Sequence, residues 1–191
     1  MTEPRQLWLL AGGNGSGKST FYELFLAPLK IKFVNADLIA KLISPDNPQS
    51  ISSGAASLAE KERDKLLTEG ISFCFETVFS HPSKIDFIAK AKGLGYEVIL
   101  VYIHLDTPQL NEARVQQRIS TGGHSVPVEK IHSRIPRTIK NITKALPLID
   151  EARFLDNSSR ENPFQQVALI KLGRIEWKSD SCPDWVIQML P

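Results

Sequence analysis

The chain has 191 residues, 42% of them hydrophobic and 23% charged, with a formal charge of +2. That length carries the core of one α/β domain and is short for two, the composition is globular rather than disordered, and the charge alone requires no polyanionic partner. The only two cysteines, Cys74 and Cys182, lie far apart with no C-x-x-C pair and no nearby histidine ligands, which excludes a disulfide scaffold and a zinc cluster and reads as reduced, buried thiols.

Near the N-terminus, Gln6–Ala11 is an apolar run of strand length, too short for a signal-peptide core or a membrane span, so a cytoplasmic protein without a membrane association is expected. The run opens into Gly12-Gly13-Asn14-Gly15-Ser16-Gly17-Lys18-Ser19, followed by Thr20, which meets every fixed position of the phosphate-binding pattern G-x-x-x-x-G-K-[ST]. Residues 21–26 contain no helix breaker, so strand, loop and helix succeed one another as the motif requires. Glycines let successive N–H groups face one phosphate, and the start of the helix adds partial positive charge. Lys18 is placed to reach the β- and γ-phosphates of ATP or GTP, and the Ser19 hydroxyl to hold Mg²⁺.

Ile31–Asn35 reads as a second strand ending in Asn35-Ala36-Asp37. Asp37 then sits at a strand's C-terminal edge, where open parallel sheets bind ligands, or it caps the helix Leu38–Ile43; the two roles are compatible. A polar loop over 44–53 precedes a solvated helix, Ala55–Glu69, and Gly70 stops it. Ile71–Phe75 is an apolar strand that delivers Glu76 at its end, suited to Mg²⁺ or to a substrate hydroxyl, or else an ordinary turn glutamate. After a helix over Pro82–Lys92, Tyr96–Leu105 is the most strand-like stretch, and its near-continuous apolar character predicts a central strand covered on both faces of a parallel sheet.

Thr107-Pro108 opens a helix in which Arg114 and Arg118 share a face. Thr121–Pro127 interrupts it, and a second helix starts at Val128, with Pro136 inside it, Ile131, Ile135, Ile139 and Ile142 on one side and Lys130, Arg134, Arg137 and Asn141 on an adjoining stripe. From Ala113 to Ile149 there are seven Lys or Arg and one acid, Glu129. Such a segment suits a nucleotide's polyphosphate; a solvated face and a nucleic-acid patch are the alternatives, and the absence of aromatics counts against the latter. His124 is either a phosphate donor or a backbone-held loop residue. Arg153–Ser158 reads as the last parallel strand and its following loop, where Asn157 is a candidate for contact with the base. Residues 165–190 predict a terminal hairpin around Gly173 and a short helix near Pro183.

These stretches together, with Glu76-Thr77-Val78-Phe79-Ser80, Arg114-Val115-Gln116-Gln117-Arg118 and Gly122-Gly123-His124-Ser125-Val126-Pro127 as the most specific, resemble the zeta-toxin family of P-loop kinases over roughly residues 5 to 160, and follow its short, stand-alone branch. The resemblance implies an α/β P-loop kinase-like three-layer fold with a mainly parallel central sheet and a helical lid over about 113–140, all within one domain. It implies an ATP- or GTP-dependent kinase in which Asp37 is the base for an acceptor hydroxyl and Arg118 and Arg134, with Arg114 and Arg137 next, stabilise the transferred group. Glu76, Thr77 and Ser80 would face the acceptor, and an antitoxin protein is a candidate partner. Characterised members phosphorylate UDP-N-acetylglucosamine and tend to carry Glu-x-Thr-x-Arg where this chain has Val78 and Ser80, so the resemblance implies UDP-N-acetylglucosamine or another hydroxyl-bearing metabolite as acceptor. The chain also ends earlier than the long toxins, so toxicity does not follow. A polynucleotide 5′-hydroxyl kinase and a nucleotide-operated interaction module are the competing readings.

Overall fold

The structure, a computed structural model, describes residues 4–120 and 125–190. The segment 121–124, which includes Gly122 and Gly123 of the expected break between the two lid helices and the candidate His124, lies outside the described residues. Seven strands, β1 (Gln6–Ala11), β2 (Lys32–Val34), β3 (Phe73–Thr77), β4 (Glu97–His104), β5 (Glu151–Asp156), β6 (Gln165–Lys171) and β7 (Arg174–Lys178), form one sheet in the order β2-β3-β1-β4-β5-β6-β7. The first five strands in that order are parallel, and β6 and β7 are added antiparallel, which gives the predicted hairpin a place in the same sheet.

The helices are α1 (Lys18–Phe21), α2 (Ala36–Ile43), α3 (Ser52–Glu69), α4 (Ser83–Gly93), α5 (Pro108–Ser120), α6 (Val128–Ala145) and α7 (Asp184–Ile187). α1 continues as a π-helical turn, Tyr22–Leu26, and a short turn at Ala27–Leu29. Successive residues of a strand point to opposite faces, and both faces are buried here. Leu7, Leu9, Phe73, Phe75, Val98 and Leu100 pack with Leu66 of α3, Ile88 of α4 and Ile142 of α6. On the other side, Trp8, Leu10, Cys74, Ile99 and Val101 pack with Phe21 of α1 and Leu26. The central position predicted for β4 is the observed one, and it is buried along nearly its whole length.

Most element boundaries shift by one to three residues from the sequence reading, and two of these shifts have clear local reasons. α3 begins at Ser52, three residues early, because Pro48–Ile51 already turns helically and leads into it. β3 runs two residues further, to Thr77, because its parallel pairing with β1 continues through Leu10↔Glu76 and Ala11↔Thr77. Glu76 is therefore a strand residue at the C-terminal edge. Tyr96, buried just before β4, sets its hydroxyl among the carbonyls of Leu66, Leu67 and Ile71, so the end of α3 is hydrogen-bonded to the sheet. Cys74 is buried and Cys182 partly buried, and both are free thiols. No helix among the described residues is long and apolar enough to cross a membrane.

The short helix α7 closes the β4–β5 end of the core through Trp185, whose ring lies 4.5 Å from that of His104. His104 Nδ1 is 2.8 Å from the Tyr102 hydroxyl. Burial pushes the His104 pKa down to about 4, against the raising effect of Asp156 and Asp106. The folded state thus holds this imidazole neutral, while the unfolded chain takes up a proton near pH 6.5, so stability is lost as pH falls from 6.5 toward 4. The expected slope is about 1.4 kcal/mol per pH unit at most, in chemical denaturation followed across that window. His104→Asn keeps an acceptor for Tyr102 and should flatten the slope; an unchanged slope would assign the acid sensitivity elsewhere.

Candidate functional site

The phosphate loop leaves β1 at Gly12 and enters α1 at Lys18, so its backbone faces the C-terminal edge of the sheet between β3 and β4. Two glycines are required by geometry. Gly12 has φ +151°, and a Cβ there would lie 2.2 Å from the Ile103 carbonyl oxygen of β4. Gly17, at the start of α1, has φ +100°, and a Cβ would meet the Asn157 side chain at 2.5 Å. Backbone therefore packs against backbone on one side of the loop and against a buried amide on the other.

Lys18 is 5% exposed, and its ammonium donates to the carbonyls of Gly12 at 3.0 Å and Gly13 at 2.9 Å. Burial lowers its pKa, and the Glu76 carboxylate, 3.6 Å away, works in the opposite direction. Glu76 also accepts from the Ser19 hydroxyl at 2.6 Å and from the Asn35 amide at 2.8 Å. One carboxylate thus joins the ends of β2 and β3 to the start of α1. Ser16 Oγ is buried with no hydrogen-bond partner among the described residues.

Asp37 lies in the first turn of α2 and lines the same cleft, of about 530 Å³, as Lys18, Ser19, Thr20 and Glu76. The capping role that stood as the alternative for Asp37 belongs to Asn35, whose Oδ1 accepts from the backbone N–H groups of Asp37 at 2.8 Å and Leu38 at 3.2 Å. The reason is position: Asn35 has the extended backbone of a cap residue, and Asp37 is already helical. The Asp37 carboxylate is exposed and makes no hydrogen bond among the described residues, which leaves it facing the cleft. Thr77 and Val78 of the β3 end also line it, whereas Ser80 does not.

Across the cleft stand Arg114 and Arg118 of α5 and Lys130 and Arg134 of α6, with Ser125, Val126 and Pro127 before α6. Arg134 Nη1 donates to the Asn14 side chain at 3.2 Å, and Arg114 Nη2 to the Asn157 carbonyl at 2.8 Å. Arg137 is outside the group: it is exposed and bonds the Ser133 carbonyl and hydroxyl one turn back. Asn141, expected on the basic stripe, is buried and donates to the Phe79 carbonyl at 3.0 Å, while Thr138 donates to the Val78 carbonyl at 2.6 Å. Together they clamp the loop after β3, in which Phe79 has φ +62°, to α6.

Asn157 contributes as a brace. Its amide donates to the Ser16 carbonyl at 2.8 Å, and its Oδ1 accepts from the Phe164 N–H at 3.1 Å. It borders a second cavity of about 560 Å³ together with Gly17, Thr20, Arg114, Arg160 and Phe164, which adjoins the phosphate loop on the β5 side. Sequence reading missed Asn111, which is 2% exposed and donates to the Asn14 carbonyl at 2.7 Å. It also missed the capping and carboxylate contacts of Asn35. An asparagine two residues before a helical aspartate is a cap signal, but nothing local marks Asn111.

The residues fit a nucleotide with its metal ion. The orphaned Ser16 hydroxyl and the loop closed by glycines form a cradle for phosphate, and the Ser19–Glu76 oxygen pair is of the hard kind that Mg²⁺ accepts.

Comparison with known proteins agrees with this geometry. The zeta toxin family matches residues 2–160. A Haemophilus influenzae protein of uncharacterised function is 31% identical over 129 residues, which cover 64% of this chain and 91% of that protein. Among solved structures, an AvrRxo1-ORF1:-ORF2 complex with ATP superposes at a TM-score of 0.76 and 18% identity, over 98% of this chain and 64% of that one. The present chain thus spans somewhat less than two thirds of the AvrRxo1 chain. The PezAT toxin–antitoxin system of Streptococcus pneumoniae superposes at 0.64 and 15% identity, over 99% and 78% of the two chains. A phosphate loop at the edge of a mainly parallel sheet, faced by arginines from two successive helices, is the P-loop kinase-like fold, and the chain belongs to the zeta toxin family.

Proposed function

We propose that this chain transfers the γ-phosphoryl group of ATP or GTP, with Mg²⁺, to a hydroxyl of a small metabolite, with UDP-N-acetylglucosamine as the acceptor suggested by its family. The observation that carries this reading is the Asp37 carboxylate, which lines the cleft with Lys18 while Asn35 does the capping. A module that only binds nucleotide has no use for such a group. The likeness to a toxin–antitoxin system makes an antitoxin protein the proposed protein partner.

In the proposed reaction the Lys18 ammonium exchanges the Gly12 and Gly13 carbonyls for the β- and γ-phosphates. Ser19 and Glu76 would hold the metal ion, whose charge would offset that of the phosphates. Asp37 orients the acceptor O–H and takes its proton as the oxygen bonds to the γ-phosphorus and the bond to the ADP or GDP oxygen breaks. Arg118 and Arg134, with Arg114 beside them, neutralise the group in flight. Glu76 and Thr77 border the acceptor end, while Ser80 belongs to the loop that α6 clamps.

Two variants test the assignment in a γ-labelled ATP assay against sugar nucleotides, nucleosides and oligonucleotides. Lys18→Ala is expected to abolish productive nucleotide use, since no other loop cation can take its place, and unchanged turnover would overturn the nucleotide site. Asp37→Asn is expected to lower acceptor labelling by about a hundred- to ten-thousand-fold while ATP affinity and thermal stability hold, because the cap is not Asp37's. Parental labelling by that variant would remove Asp37 from the chemistry, and label appearing on oligonucleotides alone would favour the polynucleotide kinase.

A further inference from the structure

Outside the cleft, Arg63 is buried without a counter-charge in contact among the described residues. This α3 residue is 8% exposed, its guanidinium lies 4.9 Å from the centre of the Phe75 ring and 5.7 Å from that of Phe87, and its Nε has no hydrogen-bond partner among the described residues. Ring faces engage the faces of a guanidinium and leave its in-plane N–H groups unmet, a costly arrangement away from water. Phe87 stands one turn along α4 from Lys84, and the half-buried Lys84 is near enough for the charge of Arg63 to act on it.

The charges around this pair do not cancel. Glu60, one turn before Arg63, is felt by both cations, and Asp64 by Arg63. Neither carboxylate comes within ion-pair distance of Arg63 or Lys84 among the described residues, and Asp64 is engaged by Lys90 at 2.7 Å. Burial lowers the pKa of each cation, and the charge of Arg63 lowers that of Lys84 further, while Glu60 works in the opposite direction on both without reaching contact. Neither residue lines the nucleotide cleft.

We propose that Arg63 and Lys84, backed by the rings of Phe75 and Phe87, bind a phosphate group at a site between α3 and α4 separate from the nucleotide cleft. A guanidinium fork presents two parallel N–H donors to two oxygens of one anion, and a neighbouring ammonium adds a point charge, the combination that suits phosphate. The group is carried either by inorganic phosphate or by a phosphorylated metabolite.

The Arg63 Nε–H signal in ¹H–¹⁵N spectra of the full chain reads this site alone, in titrations with inorganic phosphate, glucose 6-phosphate and glucose. The expected result is a saturable shift with at least one of the two phosphates, at a Kd of about 1 mM or tighter, and none with glucose. Lys84→Met, with an otherwise parental spectrum, should weaken that binding about tenfold or more. A response to inorganic phosphate assigns the free ion as a sufficient ligand, and a response to the ester alone assigns a phosphorylated metabolite. No shift with either anion, or one that Lys84→Met leaves untouched, overturns the proposal.

Discussion

The architecture of the site depends on keeping one ammonium charged while almost all of its surface is withdrawn from water. Lys18 is 5% exposed, and an isolated cation so placed would lose its proton or unfold its surroundings. Two loop carbonyls and Glu76 oppose this, and each constrains the chain further. The carbonyls can turn toward Lys18 only if the loop folds tightly over β4, which Gly12 permits. Glu76 can approach only if β3 ends level with β1, and the parallel register through Leu10↔Glu76 provides that.

Glu76 then carries the organisation outward. Its Oε2 receives both the Ser19 hydroxyl and the Asn35 amide, and the same Asn35 starts α2 through its Oδ1. The direction in which Asp37 faces is thus coupled to the charge of Lys18 through two side chains. On the opposite wall, α6 bonds to the loop after β3 through Thr138 and Asn141, while Arg134, one turn earlier, reaches Asn14 in the phosphate loop. A helix tied at both points moves both walls of the cleft if it moves at all.

Much of this was legible in the sequence, and the division has a physical cause. The phosphate loop, the strand ends that carry Asp37 and Glu76 and the arginines of α5 and α6 announce themselves through backbone demands, apolar runs and helical spacing, all of which are local. Asn141 and Arg137 share a helix stripe, yet one is buried on the Phe79 carbonyl and the other is turned to Ser133. Spacing places residues on a face but cannot tell which of them will find a carbonyl 62 residues away. Asn111 and Asn157 illustrate the same limit: an amide that braces a backbone 97 or 141 residues distant has no signature of its own. Phe79 is a bulky residue in a left-handed conformation, held by Thr77 and Asn141, and no propensity would assign it there.

The two borders of the sheet carry a consequence for how the protein behaves in a crowded solution. A long, flat, apolar border recruits strands from other molecules and seeds fibrils. β2, at one border, is three residues long, and its exposed Lys32 faces Glu62 of α3. β7, at the other, exposes all five residues and alternates charge with Ile175 and Trp177 as Arg174, Glu176 and Lys178. A second sheet seeking to extend either border would have to desolvate those charges or stop after three residues. The parallel core, with strands that must find partners far along the chain, is a slow and aggregation-exposed thing to assemble, and its margins are built to remain solitary while it does so.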